Sequence, residues 1–201
     1  MSNHTPDTFR VLVIDDEKAI LEQFRYVFEP QTETGQNKTE LADLQGKLFG
    51  LHNNRRSPIN IEATFCRQGD EAVEIVRQAV EQHNPFAVAY CDIRMPPGPN
   101  GLWTAEHIRR LDNNVHIVMV TAFSDIDPLE FTERVRPPDK LLYVQKPFHP
   151  QEIRQFTTAL SARWLTEQFS TLQSKNEAIK ESDKLKRDFI ITVSHELRTP
   201  L

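Results

Sequence analysis

The chain has 201 residues, with 29 acidic against 24 basic side chains and a formal net charge of −5. That length accommodates one domain of ordinary size plus an appendage, and the acid excess leaves no basic footprint for nucleic acid or an anionic membrane as main partner. No apolar stretch reaches the ~18 residues that span a bilayer, and the first residues lack the basic and apolar regions of a signal peptide, so the expected location is the cytoplasm.

Val11 to Ile14 is a short apolar run, followed by Ile20, Leu21, Phe24, Val27 and Phe28 at helical spacing. A strand and then a helix are predicted. The pattern returns four times. Ile59 to Phe65 precedes Ala72, Val73, Val76 and Val80, and Phe86 to Tyr90 precedes Leu102, Ala105, Ile108 and Leu111. Val115 to Val120 precedes Ile126, Leu129 and Phe131, and Leu141 to Val144 precedes a last helix starting near Pro150. Strands read as apolar throughout imply a parallel sheet covered by helices on both faces, an α/β fold. Cys66 and Cys91 fall inside apolar runs and read as small buried hydrophobes rather than a disulfide.

Residues 30–58 break the rhythm. The stretch is polar and too long for a plain connector, and Leu41, Leu44 and Leu48 are helix-spaced, so a short extra helix is expected at about residues 39–49. It reads either as a tolerated surface insertion or as a partner-binding or dimer element.

From Glu152 onward there is no strand signal and no glycine. Leu165, Leu172, Ile179, Lys186 and Val193 recur every seven residues, interleaved with Phe169, Asn176, Asp183, Ile190 and Leu197. This is a coiled-coil pattern with a weak middle, at about 60 Å for ~1.5 Å per residue, and it predicts a homodimer through the C-terminal helix. The polar seam residues Asn176, Asp183 and Lys186 mark a register device or a stutter. A single amphipathic helix folded back on the domain is the alternative.

In open sheets of this kind ligands bind at the carboxyl ends of the strands. Asp15 and Asp16, Asp92, Thr121 and Lys146 fall at the predicted ends of the first, third, fourth and fifth strands. Three carboxylates without cysteine or histidine offer hard oxygens suited to Mg²⁺. A carboxylate can attack a phosphoryl group when metal and ammonium neutralise the developing charge. Lys146 carries such an ammonium, and the Thr121 hydroxyl can hydrogen-bond a phosphate oxygen. Each alone has a plainer reading as helix cap, turn, strand end or solvated lysine; their joint placement does not.

The motifs Val11 to Glu17, Cys91-Asp92-Ile93-Arg94-Met95-Pro96, Val120-Thr121-Ala122 and Tyr143-Val144-Gln145-Lys146-Pro147-Phe148 resemble those of a response-regulator receiver domain. The resemblance covers about residues 9–160. It implies a flavodoxin-like, doubly wound five-stranded parallel sheet of strand order 2-1-3-4-5. It also implies Asp92 as phosphoacceptor, and Mg²⁺ held by Asp15, Asp16, the Asp92 carboxylate and the Arg94 backbone carbonyl. Thr121 and Lys146 become phosphate contacts, Tyr143 the switch aromatic, and Lys146-Pro147 a cis peptide. The loop from Met95 to Asn100 and the insertion at residues 30–58 depart from the family pattern, which bears on partner choice. The implied partner is an upstream phosphodonor, a histidine kinase or a phosphotransfer protein.

Phe189-Ile190-Ile191-Thr192-Val193-Ser194-His195-Glu196-Leu197-Arg198-Thr199-Pro200-Leu201 resembles the phosphoacceptor box of sensor histidine kinases. With Ile190, Val193 and Leu197 in the seam, His195 falls on the outer face, where a neutral imidazole is nucleophilic and Glu196 can orient it or accept its proton. Pro200 is expected to kink or end the helix. None of the six glycines forms a nucleotide lid, so the chain reads as a piece of a larger kinase cut inside its dimerisation helices, lacking the ATP-binding domain. The expected organisation is a receiver at residues 9–150, a helical coiled-coil linker at 151–188, and the start of a dimerisation and phosphoacceptor domain at 189–201. In that reading phosphorylation of Asp92 regulates kinase output at His195. Two rivals stand beside it: a degenerate receiver that only docks or dimerises, and a phosphohydrolase with a nucleophilic aspartate after its first strand, for which Asp15-Asp16-Glu17 lacks the needed Asp-x-Asp.

Overall fold

Five strands hydrogen-bond in parallel in the order β2-β1-β3-β4-β5: β1 (Thr8–Ile14), β2 (Asn60–Cys66), β3 (Val88–Asp92), β4 (His116–Thr121) and β5 (Leu141–Gln145). Between and after them run α1 (Lys18–Phe28), α2 (Gly69–Glu81), α3 (Gly101–Leu111), α4 (Pro128–Arg134) and α5 (Pro150–Glu196), with a 3-10 turn at Pro138–Lys140 ahead of β5. This computed structural model describes residues 8–28, 60–122 and 128–196, the side chains of Pro128 and of residues beyond Arg187 excepted. The helix expected at residues 39–49, and Ile126 of the predicted fourth helix, lie outside the described residues.

The parallel sheet expected from the alternation is therefore present, in the strand order that the resemblance implied. Burial grades outward from its middle. Every residue of β3 and β4 is buried, whereas β2 exposes Asn60 and Glu62, and β5 is only half-buried at Leu142 and Tyr143. Edge strands have a neighbour on one side only, so uniform apolarity holds best for the central strands.

Alternation along each strand sends its side chains to two layers. Leu12, Ile14, Ala89, Cys91, Ile117 and Met119 pack with Ala72, Val76, Leu102, Ala105 and Ile108 of α2 and α3. On the intervening positions Tyr90 meets Phe24 of α1 at 5.0 Å between ring centroids, and Phe24 meets Phe148 at the same distance. In this second layer the Tyr90 hydroxyl lies 2.8 Å from Thr157 Oγ1 of α5, and both groups are buried. A buried hydroxyl without a partner would cost more than the bond gains, so this pair fixes where α5 seats on the sheet. Cys66 and Cys91 are buried free thiols, as expected.

The chain divides into two units, residues 1–161 and 162–201. The first holds the sheet, its helices and the opening turns of α5. The second consists, in its described part, of the rest of α5, where Leu172 and Ile179 are 56 % and 59 % exposed. Among the described residues no helix is long and apolar enough to cross a membrane.

Candidate functional site

Parallel pairing in register brings the carboxyl ends of β1, β3, β4 and β5 to one edge of the sheet. Ile14 pairs with Cys91, Asp92 with Val120, and Thr121 with Gln145. Asp15 follows the last residue of β1, Asp92 and Thr121 end β3 and β4, and Lys146 follows β5. Residues 131 positions apart thereby meet: Lys146 Nζ lies 2.8 Å from Asp15 Oδ2 and 2.8 Å from Asp92 Oδ1. Ligand oxygens of Asp15, Asp16 and Asp92 all lie within 4.8 Å of one another.

Backbone amides aim these carboxylates. The Glu17 amide donates to Asp15 Oδ1 at 2.9 Å, and the Arg94 amide donates to Asp92 Oδ2 at 3.0 Å. Burial pushes the Asp15 carboxyl from 3.8 up to about 6, against the lowering effect of the hydrogen bond and charge of Lys146, and the neighbouring Asp92 charge pushes the same way as burial. Burial also works against the Lys146 ammonium, but its hydrogen bonds and charge interactions with Asp15 and Asp92 hold it above the ordinary lysine value. Among the described residues, one ammonium thus serves a pocket of three carboxylates, with Glu17 as a more distant fourth at 3.8 Å.

The donor set suits a small hard divalent cation: carboxylate oxygens converge, no cysteine or histidine among the described residues joins them, and negative charge exceeds the lysine's positive charge. The Thr121 hydroxyl donates to the Ala122 carbonyl at 2.7 Å, while the Lys146 amide donates to the Thr121 carbonyl at 2.7 Å, tying the two strand ends together. Tyr143 is half-buried on β5 with its ring edge-on to Phe131 at 6.3 Å, and burial raises its phenol. Lys146-Pro147 is cis, as the motif implied. Arg94 enters through its amide, and its side chain is exposed. The backbone of α5 runs through His195 and Glu196, but their side chains, and Leu197 to Leu201, lie outside the described residues.

Several contributors escape pattern reasoning. Glu17 belongs to the lysine's surroundings although it is the last residue before α1. Gly101 opens α3 directly behind the Asp92 backbone: a Cβ there would collide with the Asp92 carbonyl oxygen, and its amide donates to the Ile93 carbonyl at 2.8 Å. A glycine opening a helix just after a strand-end acid was the available signal. Arg67 and Gln68, after β2, reach the acid-bearing loops with side-chain hydrogen bonds that have no signature in sequence.

Residues 55–158 match the response regulator receiver domain family, slightly more than half of the chain. The match begins at residue 55, after Asp15 and Asp16, so the fold, not the match, unites those two with the rest of the pocket. No curated protein matches the sequence. Among solved structures, a CheY-like response regulator receiver domain protein from Methanospirillum hungatei superposes with a TM-score of 0.55 at 17 % identity, over 80 % of this chain and 98 % of that one. A structure described as adenylate cyclase from Rhodopirellula baltica gives 0.54 at 20 % identity, over 86 % and 98 % of the two chains. A receiver domain from Clostridium thermocellum gives 0.50 at 18 %, over 80 % and 96 %. At such identities the likeness bears on the fold alone, and it agrees with the sheet order and the family match. The chain belongs to the response regulator receiver domain family.

Proposed function

We propose that this receiver accepts a phosphoryl group on Asp92 in a two-component relay, with Mg²⁺ as cofactor and a histidine kinase or phosphotransfer protein as donor. The observation that carries the reading is the convergence of Asp15, Asp16 and Asp92 within 4.8 Å, with the Lys146 ammonium 2.8 Å from two of them. Asp15, Asp16, the Asp92 carboxylate and the Arg94 carbonyl would hold the ion, which would supply charge neutralisation around the transferring group. The Arg94 amide orients the nucleophile by holding Asp92 Oδ2. An Asp92 oxygen attacks phosphorus, the bond from phosphorus to the donor's nitrogen or oxygen breaks, and its electron pair leaves with the donor. Lys146 meets the negative charge as it moves from carboxylate to phosphoryl oxygens. Thr121 exchanges its bond to the Ala122 carbonyl for one to the phosphoryl group, and Tyr143, one strand over, responds to that exchange.

In the same reading α5 carries the signal onward, because it is covalently continuous from Pro150 to Glu196. Leu172 and Ile179 pair with a second copy in a coiled coil, and the segment ending in His195 and Glu196 belongs to the phosphoacceptor helix of a histidine kinase whose output Asp92 regulates.

Incubation with acetyl phosphate and Mg²⁺ tests the first step. Labelling that requires the ion and disappears in Asp92→Asn supports it. Labelling that persists in Asp92→Asn, or proceeds unchanged in EDTA, overturns it.

A further inference from the structure

β2 contributes no side chain to the acid pocket, yet the two residues after it touch both loops that do. The Arg67 guanidinium donates to the Asp16 carbonyl at 2.7 Å. Gln68 spans the other loop from both ends of its amide: its Oε1 accepts from the Gly98 amide at 3.1 Å, and its Nε2 donates to the Pro96 carbonyl at 3.4 Å. Between them these bonds grip the loop that carries Asp16 and the loop that runs from Asp92 and Arg94 to α3.

Gln68 is also the N-cap residue of α2, and there its chemistry is out of place. Helix N-caps favour Ser, Thr, Asp and Asn, whose short side chains reach back to the first free amides. The Gln68 side chain makes no cap hydrogen bond; its length is used across the gap to residues 96–98. The partner loop is shaped to receive it, because a Cβ on Gly98 would collide with Gln68 Oε1. Arg67 is likewise held at its own backbone, where its amide donates to Glu71 Oε2 at 3.2 Å.

We infer that Arg67 and Gln68 are positioning residues of the phosphorylation site, a clamp from the β2–α2 turn that sets the spacing of the two metal-bearing loops. Neither touches the ion or the phosphoryl group; each acts through the backbone next to a ligand. The inference rests on the proposed Mg²⁺-dependent phosphorylation of Asp92. Groups that orient ligands without binding the ion commonly govern its affinity.

Gln68→Ser separates this role from a structural one, since serine restores a cap for α2 while removing the reach to the loop. In the full chain, calorimetric titration with Mg²⁺ is expected to show a dissociation constant raised about three- to tenfold in Gln68→Ser and in Arg67→Ala, the scale of one or two lost hydrogen bonds. Melting in EDTA is expected to stay at the wild-type temperature or above for Gln68→Ser. At saturating Mg²⁺ the labelling rate by acetyl phosphate returns to that of wild type. Gly98→Ala, which drives Gln68 off the loop, raises the constant as Gln68→Ser does. Variants that bind Mg²⁺ as wild type does, or that lose affinity only together with stability, overturn the clamp. A wild-type chain that binds no Mg²⁺ overturns the proposed function itself, a distinct result.

Discussion

Asp15 is 1 % exposed and sits among two further carboxylates, so its ionisation works against folding when no divalent ion is present. Its carboxyl rises from 3.8 to about 6, which corresponds to at most about 3 kcal/mol between the protonated and ionised forms. A raised acid binds its proton more tightly in the folded chain than in the unfolded one. The stability this confers is complete below pH 3.8 and is lost as the pH climbs through about 6. Asp15→Asn removes that loss, because asparagine does not titrate and its carbonyl can still accept from Lys146. Urea denaturation in EDTA at a series of pH values from 4 to 7 measures the difference. The wild-type chain is expected to fall relative to Asp15→Asn by up to about 3 kcal/mol across that window, and added Mg²⁺ to stabilise wild type more than the variant. Parallel curves for the two proteins would refute the argument that burial and carboxylate crowding burden this pocket.

Tyr90→Phe is expected to cost about 1 kcal/mol in urea denaturation rather than a full burial penalty, since Thr157 Oγ1 keeps its bond to the Ile153 carbonyl at 2.7 Å. Gly101→Ala forces a methyl against the backbone of Asp92 and Ile93, which cannot swing aside as a side chain can; a loss of about 1–3 kcal/mol and slower acetyl-phosphate labelling are expected. Replacing both Leu172 and Ile179 by lysine is expected to convert a dimer to a monomer in analytical ultracentrifugation without altering labelling of the receiver. A wild-type monomer at micromolar concentration would contradict that pairing.

The sheet and the residues that converge at its edge were legible because each informative residue ends an apolar run, and parallel strands place such ends side by side whatever the chain length between them. Lys146 and Asp15 could be paired that way despite their separation in sequence. Side-chain hydrogen bonds to loop backbone carry no such periodic mark. The reach of Gln68 to residues 96–98 and of Arg67 to Asp16 depends on loop shapes that composition does not encode. Glu17 was legible only as part of an acidic run, and its distance to Lys146 follows from the turn after β1. The partial exposure of β2 reflects its place at an edge, which an apolar-run reading averages away.

Mass-spectrometric mapping after labelling with acetyl phosphate and Mg²⁺, with the acyl phosphate trapped by borohydride reduction, tests the central claim most directly. The reading predicts one modified aspartate, Asp92, and none in EDTA. Modification at Asp15 or Asp16, with Asp92 untouched, would contradict it and favour an aspartate-nucleophile phosphohydrolase.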